Sequence, residues 1–304
     1  MSKNREELEF ADLFSAIWQG KYYIAAFTLF VTILSIIVSL QLANIYKAQV
    51  VVIPSANDGG GSLNGMAAQL GGLASLTGIS LNSESISAKN LSLATLKSRK
   101  FLIDFVHKYN LSVPLIAAKS WNQEQNKLVI DPDIYDELTG TWLAERRPET
   151  QGIPSDWELY KAIIKILEID EDKKSGVVAI SISHYSPILA KTWVDSLIFE
   201  LNNWMRTEKV KELEKNIAFM EQKIGTTTIA EMQKIFYQLI EEQTKTLMLA
   251  SVNNEYAFKV VDPAVVPEEK DQPKRSIIVA LSFMLSFLLS TLVTLFFKLR
   301  KKTE

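Results

Sequence analysis

Asp262-Pro263-Ala264-Val265-Val266-Pro267-Glu268-Glu269-Lys270-Asp271-Gln272-Pro273-Lys274-Arg275 runs directly into an uncharged apolar stretch from Ser276 to Phe297. At about 1.5 Å rise per residue, about 22 residues cover the roughly 30 Å hydrocarbon core of a bilayer. Residues 276–297 are therefore expected to form a transmembrane helix, whose backbone hydrogen bonds close within the segment. Each proline before it fixes φ and withholds a donor. The approach marked by Pro263, Pro267, Pro273 and Lys274 should thus be stiff and extended, not helical. Lys298, Arg300, Lys301 and Lys302 follow, and residues 298–304 are expected to be a short cytoplasmic tail with nothing folded beyond the membrane exit.

Within this span Ser282, Ser286, Ser290 and Thr294 recur every fourth residue and share one helix face. Two readings stand. The hydroxyls bond back to carbonyls of their own helix, or the small residues let a second helix, or a second copy, approach closely.

At the other end, residues 1–21 mix Glu6, Glu7, Glu9 and Asp12 with Leu8, Phe10, Leu13, Phe14, Ile17 and Trp18. This reads as a short amphipathic helix with Lys21, Tyr22 and Tyr23 as interfacial anchors. The charge-free run that begins at Tyr22 is too long for the apolar core of a signal peptide, so residues 22–45 are expected to be a retained first span. Lys3, Arg5 and Lys21 precede it, against Lys47 alone just after it. The positive-inside rule then places both termini in the cytoplasm and residues 46–275 on the far side.

The chain has 304 residues, a net charge of −2 and no cysteine. Near-neutrality gives nucleic-acid binding no electrostatic support, and the lack of thiols excludes disulfide staples and thiol chemistry. The block between the spans opens with a strand, Tyr46 to Ile53, ended by Pro54. Ser55 to Asn82 is rich in Gly, Ser and Asn but lacks the lysine of a phosphate-binding loop, and is read as a mobile loop or oligomer contact. A helix is expected from about Ser85 to Lys108, and Leu128–Ile130 is expected to pair with Thr141–Leu143 around Asp131-Pro132-Asp133-Ile134-Tyr135-Asp136. That acidic tip lacks the glycine and terminal glutamate of a calcium loop and is read as a plain turn. Ser155-Asp156-Trp157-Glu158 is a capping box, with Trp157, Tyr160, Ile164 and Leu167 on one face of the helix it starts. A hairpin turns at Lys173–Gly176, and Ser186-Pro187 then starts the longest periodic stretch.

That stretch, residues 187–252, carries Leu189, Trp193, Leu197 and Leu201, then Leu213, Ile217 and Met220, at coiled-coil-like spacing. The stripe is read as arm packing and as a contact between copies. A straight rod of about 65 residues would reach about 100 Å, farther than the roughly 24 residues left could return. A hairpin turning at Gly225-Thr226-Thr227-Thr228 is therefore expected, with Phe258–Asp262 rejoining the strands.

Neither histidine, His107 or His184, stands in a catalytic or zinc spacing, so both are read as structural. Trp121, Trp142, Trp157, Trp193 and Trp204 suit sugar stacking or core packing, and packing is the more economical account. No catalytic, cofactor or metal residue is assigned. The fold expected is an α+β domain with a long helical arm, flanked by two transmembrane helices.

Together, the two terminal spans, Ile45-Tyr46-Lys47-Ala48, Gly71-Gly72-Leu73-Ala74-Ser75-Leu76-Thr77-Gly78-Ile79, Ser183-His184-Tyr185-Ser186-Pro187, Leu239 to Ala250 and Asp262–Pro267 resemble the Wzz family. These are chain-length determinants of lipopolysaccharide O-antigen, a class of polysaccharide co-polymerase. The resemblance implies a non-enzymatic homo-oligomer of the bacterial inner membrane, with its bulk in the periplasm. It implies the Wzy polymerase, the growing undecaprenyl-linked glycan and membrane lipid as partners. The family's second span usually carries glycines; here Ser282, Ser286 and Ser290 stand in that role. A cytoplasmic output domain, as a two-span sensor needs, and a Walker motif, as a kinase-linked co-polymerase needs, are both missing from the sequence.

Overall fold

The computed structural model describes residues 10–55, 83–143 and 148–303. The glycine-rich stretch from 56 to 82, read above as a loop or oligomer contact, lies outside the described residues. Two compact units divide the chain: residues 1–45 with 270–304, and residues 46–269.

The first unit is a pair of helices, α1 (Phe10–Gln41) and a C-terminal helix, Arg275–Thr303. Within them, Gly20–Gln41 and Arg275–Phe296 are each 22 residues long and apolar enough to cross a membrane. The expected amphipathic tail helix is not separate: α1 runs without a break from Phe10, because nothing between Phe10 and Tyr22 breaks a helix except Gly20, which a helix tolerates. Lys21 Nζ lies 4.7 Å from the ring centre of Trp18 and 5.3 Å from that of Tyr22. The first span ends at Gln41, earlier than the expected Ile45. Ile45 instead exchanges backbone hydrogen bonds with Gln272, accepting from the N–H of Asp271 and Gln272 and donating to the Gln272 carbonyl. The proline segment is free of helix, with a cis bond before Pro273.

The second unit is built on strand β1 (Tyr46–Pro54). It continues through α2 (Ser83–Lys97), α3 (Arg99–Lys108), α4 (Ser112–Ile116), β2 (Ala118–Asn122), β3 (Lys127–Ile130), β4 (Tyr135–Asp136) and β5 (Thr141–Trp142). Then follow α5 (Asp156–Ile166), β6 (Leu167–Glu171), β7 (Val178–His184), α6 (Pro187–Thr226), α7 (Ala230–Val252) and β8 (Phe258–Asp262), with α8 (Arg275–Thr303) belonging to the first unit. The main sheet is antiparallel, in the order β6-β7-β1-β8. β1 alternates, with Ala48, Val50 and Val52 buried, and opposite it β7 buries Val178, Ile180 and Ile182. Period-two spacing sends these six side chains to one face. The start of α6 covers that face through Ala190, Trp193, Val194, Leu197 and Leu201, and α3 and α5 complete the core with Phe101, Leu102, Phe105, Val106, Leu159 and Ile163.

Four expectations are corrected. The helix drawn from Ser85 to Lys108 is two helices, because Ser98 takes an extended conformation and its side chain accepts from the Phe101 N–H, capping α3. Leu128–Ile130 does not pair with Thr141–Leu143: β3 pairs back with β2, and Thr141–Trp142 pairs with Tyr135–Asp136. A tight turn at Gln125–Asn126, with Asn126 at φ 51°, makes the nearer pairing available, and contact between close segments costs less loop entropy. In α5 the buried face is Leu159 and Ile163, whereas Trp157 is exposed. The capping box itself is present, Ser155 and Glu158 each bonding the other's backbone. The hairpin turn falls after Gly225, which is helical, at Thr227–Ile229.

The returning arm is held at its base by Asn202, which is buried. Its Oδ1 accepts from the N–H of Ala257 (2.7 Å) and Phe258 (2.8 Å), and its Nδ2 donates to the Phe258 carbonyl (2.9 Å). Asn202→Ala leaves two buried donors and an acceptor unmatched. We expect a loss of about 3 kcal/mol, measured as chemical denaturation of the full-length protein in detergent; a change within about 0.5 kcal/mol would show that water replaces the amide.

Candidate functional site

Three regions bear on function: the paired spans, the helical hairpin and the junction before it. In the spans, most apolar side chains have no protein cover. Leu29, Phe30, Ile37, Leu281, Leu285 and Leu292 are all exposed on their own unit. An apolar surface of this extent needs lipid or protein against it.

The face of α8 that meets α1 is the hydroxyl stripe. Ser282 Oγ accepts from Ser35 Oγ of α1 at 2.9 Å. Ser286 and Ser290 are buried and donate to the carbonyls of Phe283 and Phe287, and Thr294 donates to Ser290. The two readings of this stripe are thus compatible, since three hydroxyls satisfy themselves within α8 and thereby leave a small, neutral surface for α1. Gly20 of α1 is the counterpart that sequence reading missed: a Cβ there would collide with the Thr294 methyl. Its signal was a lone glycine in an otherwise apolar helix, where only close approach compensates its low propensity.

The arm stripe is consumed inside the chain. Trp193, Leu197 and Leu201 are buried on the sheet and Leu189 packs beside them. Leu213 and Met220 are buried farther along α6, and Ile217 between them is half-buried. α7 packs back along α6, with Gln233 donating to the Thr227 carbonyl at the tip and Arg206 to Asn254 at the foot. The stripe read as a contact between copies is therefore not free to meet one. Uncovered instead are Phe199 and Phe219 on α6 and Met232, Ile235, Tyr237 and Met248 on α7. Of the approach residues, Pro263 and Lys274 are exposed, and Pro267 and Pro273 are half-buried.

Where β7 meets α6, His184 is buried against the Trp193 ring, 4.6 Å between centres. Its Nδ1 accepts the Ser186 N–H (3.1 Å), which leaves Nε2 to donate to the Pro114 carbonyl (2.9 Å). Ser186 in turn caps α6, accepting from the Leu189 N–H. Burial lowers the His184 pKa, outweighing those backbone bonds. His107 is exposed and pairs with Asp156 at 2.9 Å. Nearby, Glu200 of α6 is buried and bonds Lys108 Nζ (2.7 Å) and the Tyr109 hydroxyl (2.9 Å). Its hydrogen bond raises the Lys108 pKa; burial, then Glu200, raises that of Tyr109. Among the described residues no three His, Cys, Asp or Glu side chains come together to hold a metal. Asp136 of the acidic turn spends its carboxylate on the Leu138 N–H and the Thr139 hydroxyl.

Residues 6–109 match the family described as "Chain length determinant protein" (Wzz), and residues 228–299 match GNVR, described as "G-rich domain on putative tyrosine kinase". No curated protein matches the sequence. Solved structures similar to the chain include a full-length bacterial polysaccharide co-polymerase, at 11% identity and a TM-score of 0.40, covering 97% of this chain and 99% of that one. Another is a fragment of WzzB, a polysaccharide co-polymerase from Salmonella Typhimurium, at 10% identity and a TM-score of 0.34, covering 75% and 100%.

Two outcomes follow from this geometry. His184 is held neutral, so its contribution to stability is complete above its unfolded pKa, near 6.5, and is lost as pH falls from there through the lowered folded value. The melting temperature should drop between pH 7 and 5, and less so in His184→Gln; parallel profiles for the two proteins would remove His184 as the cause. Gly20→Leu should destabilise the span pair by about 1–3 kcal/mol, with Thr294→Gly in the same chain restoring part of it. Equal melting of Gly20→Leu and wild type in detergent would show that the helices separate there at no cost.

Proposed function

We propose that this protein, whose residues 6–109 match the Wzz chain length determinant family, sets the modal length of a surface polysaccharide: lipopolysaccharide O-antigen made by a Wzy polymerase. The match at residues 6–109 carries the reading. The architecture supports it: two candidate spans at the ends of the chain, an α+β base, and a helical hairpin rising from that base. Both termini lie in the cytoplasm and residues 46–275 in the periplasm, the orientation that the lysine and arginine bias around the first span favours. The protein acts as a scaffold and not as a catalyst. It regulates the polymerase by presenting a surface to it or to the undecaprenyl-linked glycan.

Copies assemble through the apolar hairpin side chains that the chain leaves exposed, among them Phe219 and Met232, because large apolar side chains exposed together gain from burial against a second copy. Phe219→Glu with Met232→Glu should lower the mass seen by light scattering in mild detergent while leaving the melting temperature within about 2 °C of wild type. An unchanged mass would move the interface elsewhere.

The functional test is a lipopolysaccharide gel from a strain lacking the gene, with and without the gene restored. Collapse of a modal cluster into an unregulated ladder, reversed on complementation, is expected. An unchanged ladder in a strain making polymerase-dependent O-antigen would transfer the reading to capsule, enterobacterial common antigen or exopolysaccharide.

A further inference from the structure

Between α1 and α8 an open groove of about 610 Å³ is lined by Thr32, Ile36, Ser39, Arg275, Ala280 and Met284, among others. It holds two features that the pairing of the helices does not explain. Ser39 is 2% exposed and its hydroxyl has no hydrogen-bond partner. Arg275 donates through Nη2 to the Leu42 carbonyl (3.3 Å) and to Asn44 Oδ1 (3.1 Å). Its Nε is buried without a partner, and no carboxylate among the described residues forms an ion pair with it. A guanidinium with a buried, unmatched Nε and no counter-charge at the end of an apolar groove is costly unless an anion completes it.

We propose that this groove binds an anionic glycerophospholipid, with the phosphate on Arg275 and Ser39 and one acyl chain lying against Ile36, Ala280 and Met284. Charge selects the headgroup, since a guanidinium presents its N–H groups in a fork that matches phosphate oxygens. Length selects the tail. From Arg275 to Met284 the helix rises about 14 Å, close to half of the roughly 30 Å hydrocarbon core, which is the depth of one leaflet. A much longer polyprenyl chain would find no further groove to fill. The inference stands on the geometry of the span pair and does not depend on which polysaccharide the protein regulates.

Native mass spectrometry of the full-length protein from mild detergent tests it, with phosphatidylglycerol, diacylglycerol of the same chains and undecaprenyl phosphate as probes. Phosphatidylglycerol should be retained and diacylglycerol lost. Arg275→Gln should cut retention about tenfold, the equivalent of one charge-assisted bond, and Lys274→Gln should leave it unchanged. Ala280→Trp fills the groove without touching Arg275 and should also abolish retention. Ser39→Ala breaks no existing bond, so it keeps the fold while lowering retention about threefold. Equal retention of diacylglycerol, preference for undecaprenyl phosphate, or indifference to both Arg275→Gln and Ala280→Trp would each overturn the proposal. So would a disulfide between copies at Ala280→Cys, clean to read in a chain without cysteine, since it would place a second copy in the groove.

Discussion

The side-chain amide of Asn202 determines where the returning chain lies. A strand that closes on β1 must bring back whatever the chain sends out before it, and here that is a helix of 40 residues, about 60 Å at 1.5 Å per residue. α7 carries it most of the way home along α6, and Asn202 takes hold of the next turn of backbone, at Ala257 and Phe258. An amide carries both donor and acceptor at the right reach, so one side chain closes both sides of the Phe258 peptide. β8 then lies on β1, and the strand arriving through Tyr46 runs beside the strand departing through Asp262.

Core and spans are held by different forces. The core of the second unit is apolar area removed from water: Val50, Ile180 and Ile182 on the sheet, Leu197 and Leu201 on α6, Phe101 and Phe105 on α3. That force is missing between membrane helices, where lipid is as apolar as leucine. α1 and α8 are matched by shape instead, with Gly20 under the Thr294 methyl and Ser35 bonded to Ser282. A bulky side chain would serve in the core and obstruct there.

Several buried polar side chains of the second unit are spent on holding elements together. His184, Ser186 and Pro114 lock the junction of β7 with α6; Glu200 ties α3 to α6 through Lys108 and Tyr109. Among the described residues, the buried polar atoms left unmatched are Thr28 Oγ1, Ser39 Oγ and Arg275 Nε, all on the span helices, and many of the uncovered apolar side chains lie on the hairpin and the spans.

Much of this was legible in order of residues alone. The two spans, the capping box at Ser155, the β6–β7 hairpin, the proline start of α6 and the need for a hairpin arm all follow from local spacing, because each depends on neighbours within a few residues or on the length of a rod. The family resemblance drew on the same local runs. What the order of residues left open was every choice among partners at a distance. Leu128–Ile130 pairs with either neighbour by pattern, and only the turn at Asn126 with its surroundings selects β2. The stripe from Leu189 to Met220 looks the same whether its cover is another copy or the chain's own sheet and α7; burial of Trp193, Leu201 and Leu213 decides for the latter. Apolar periodicity states that a face must be covered and is silent on what covers it, since burial is non-directional. Hydrogen bonds such as those of Asn202 and His184 are directional, and their partners, 55 and 70 residues away, exist only once the tertiary structure has brought them into reach.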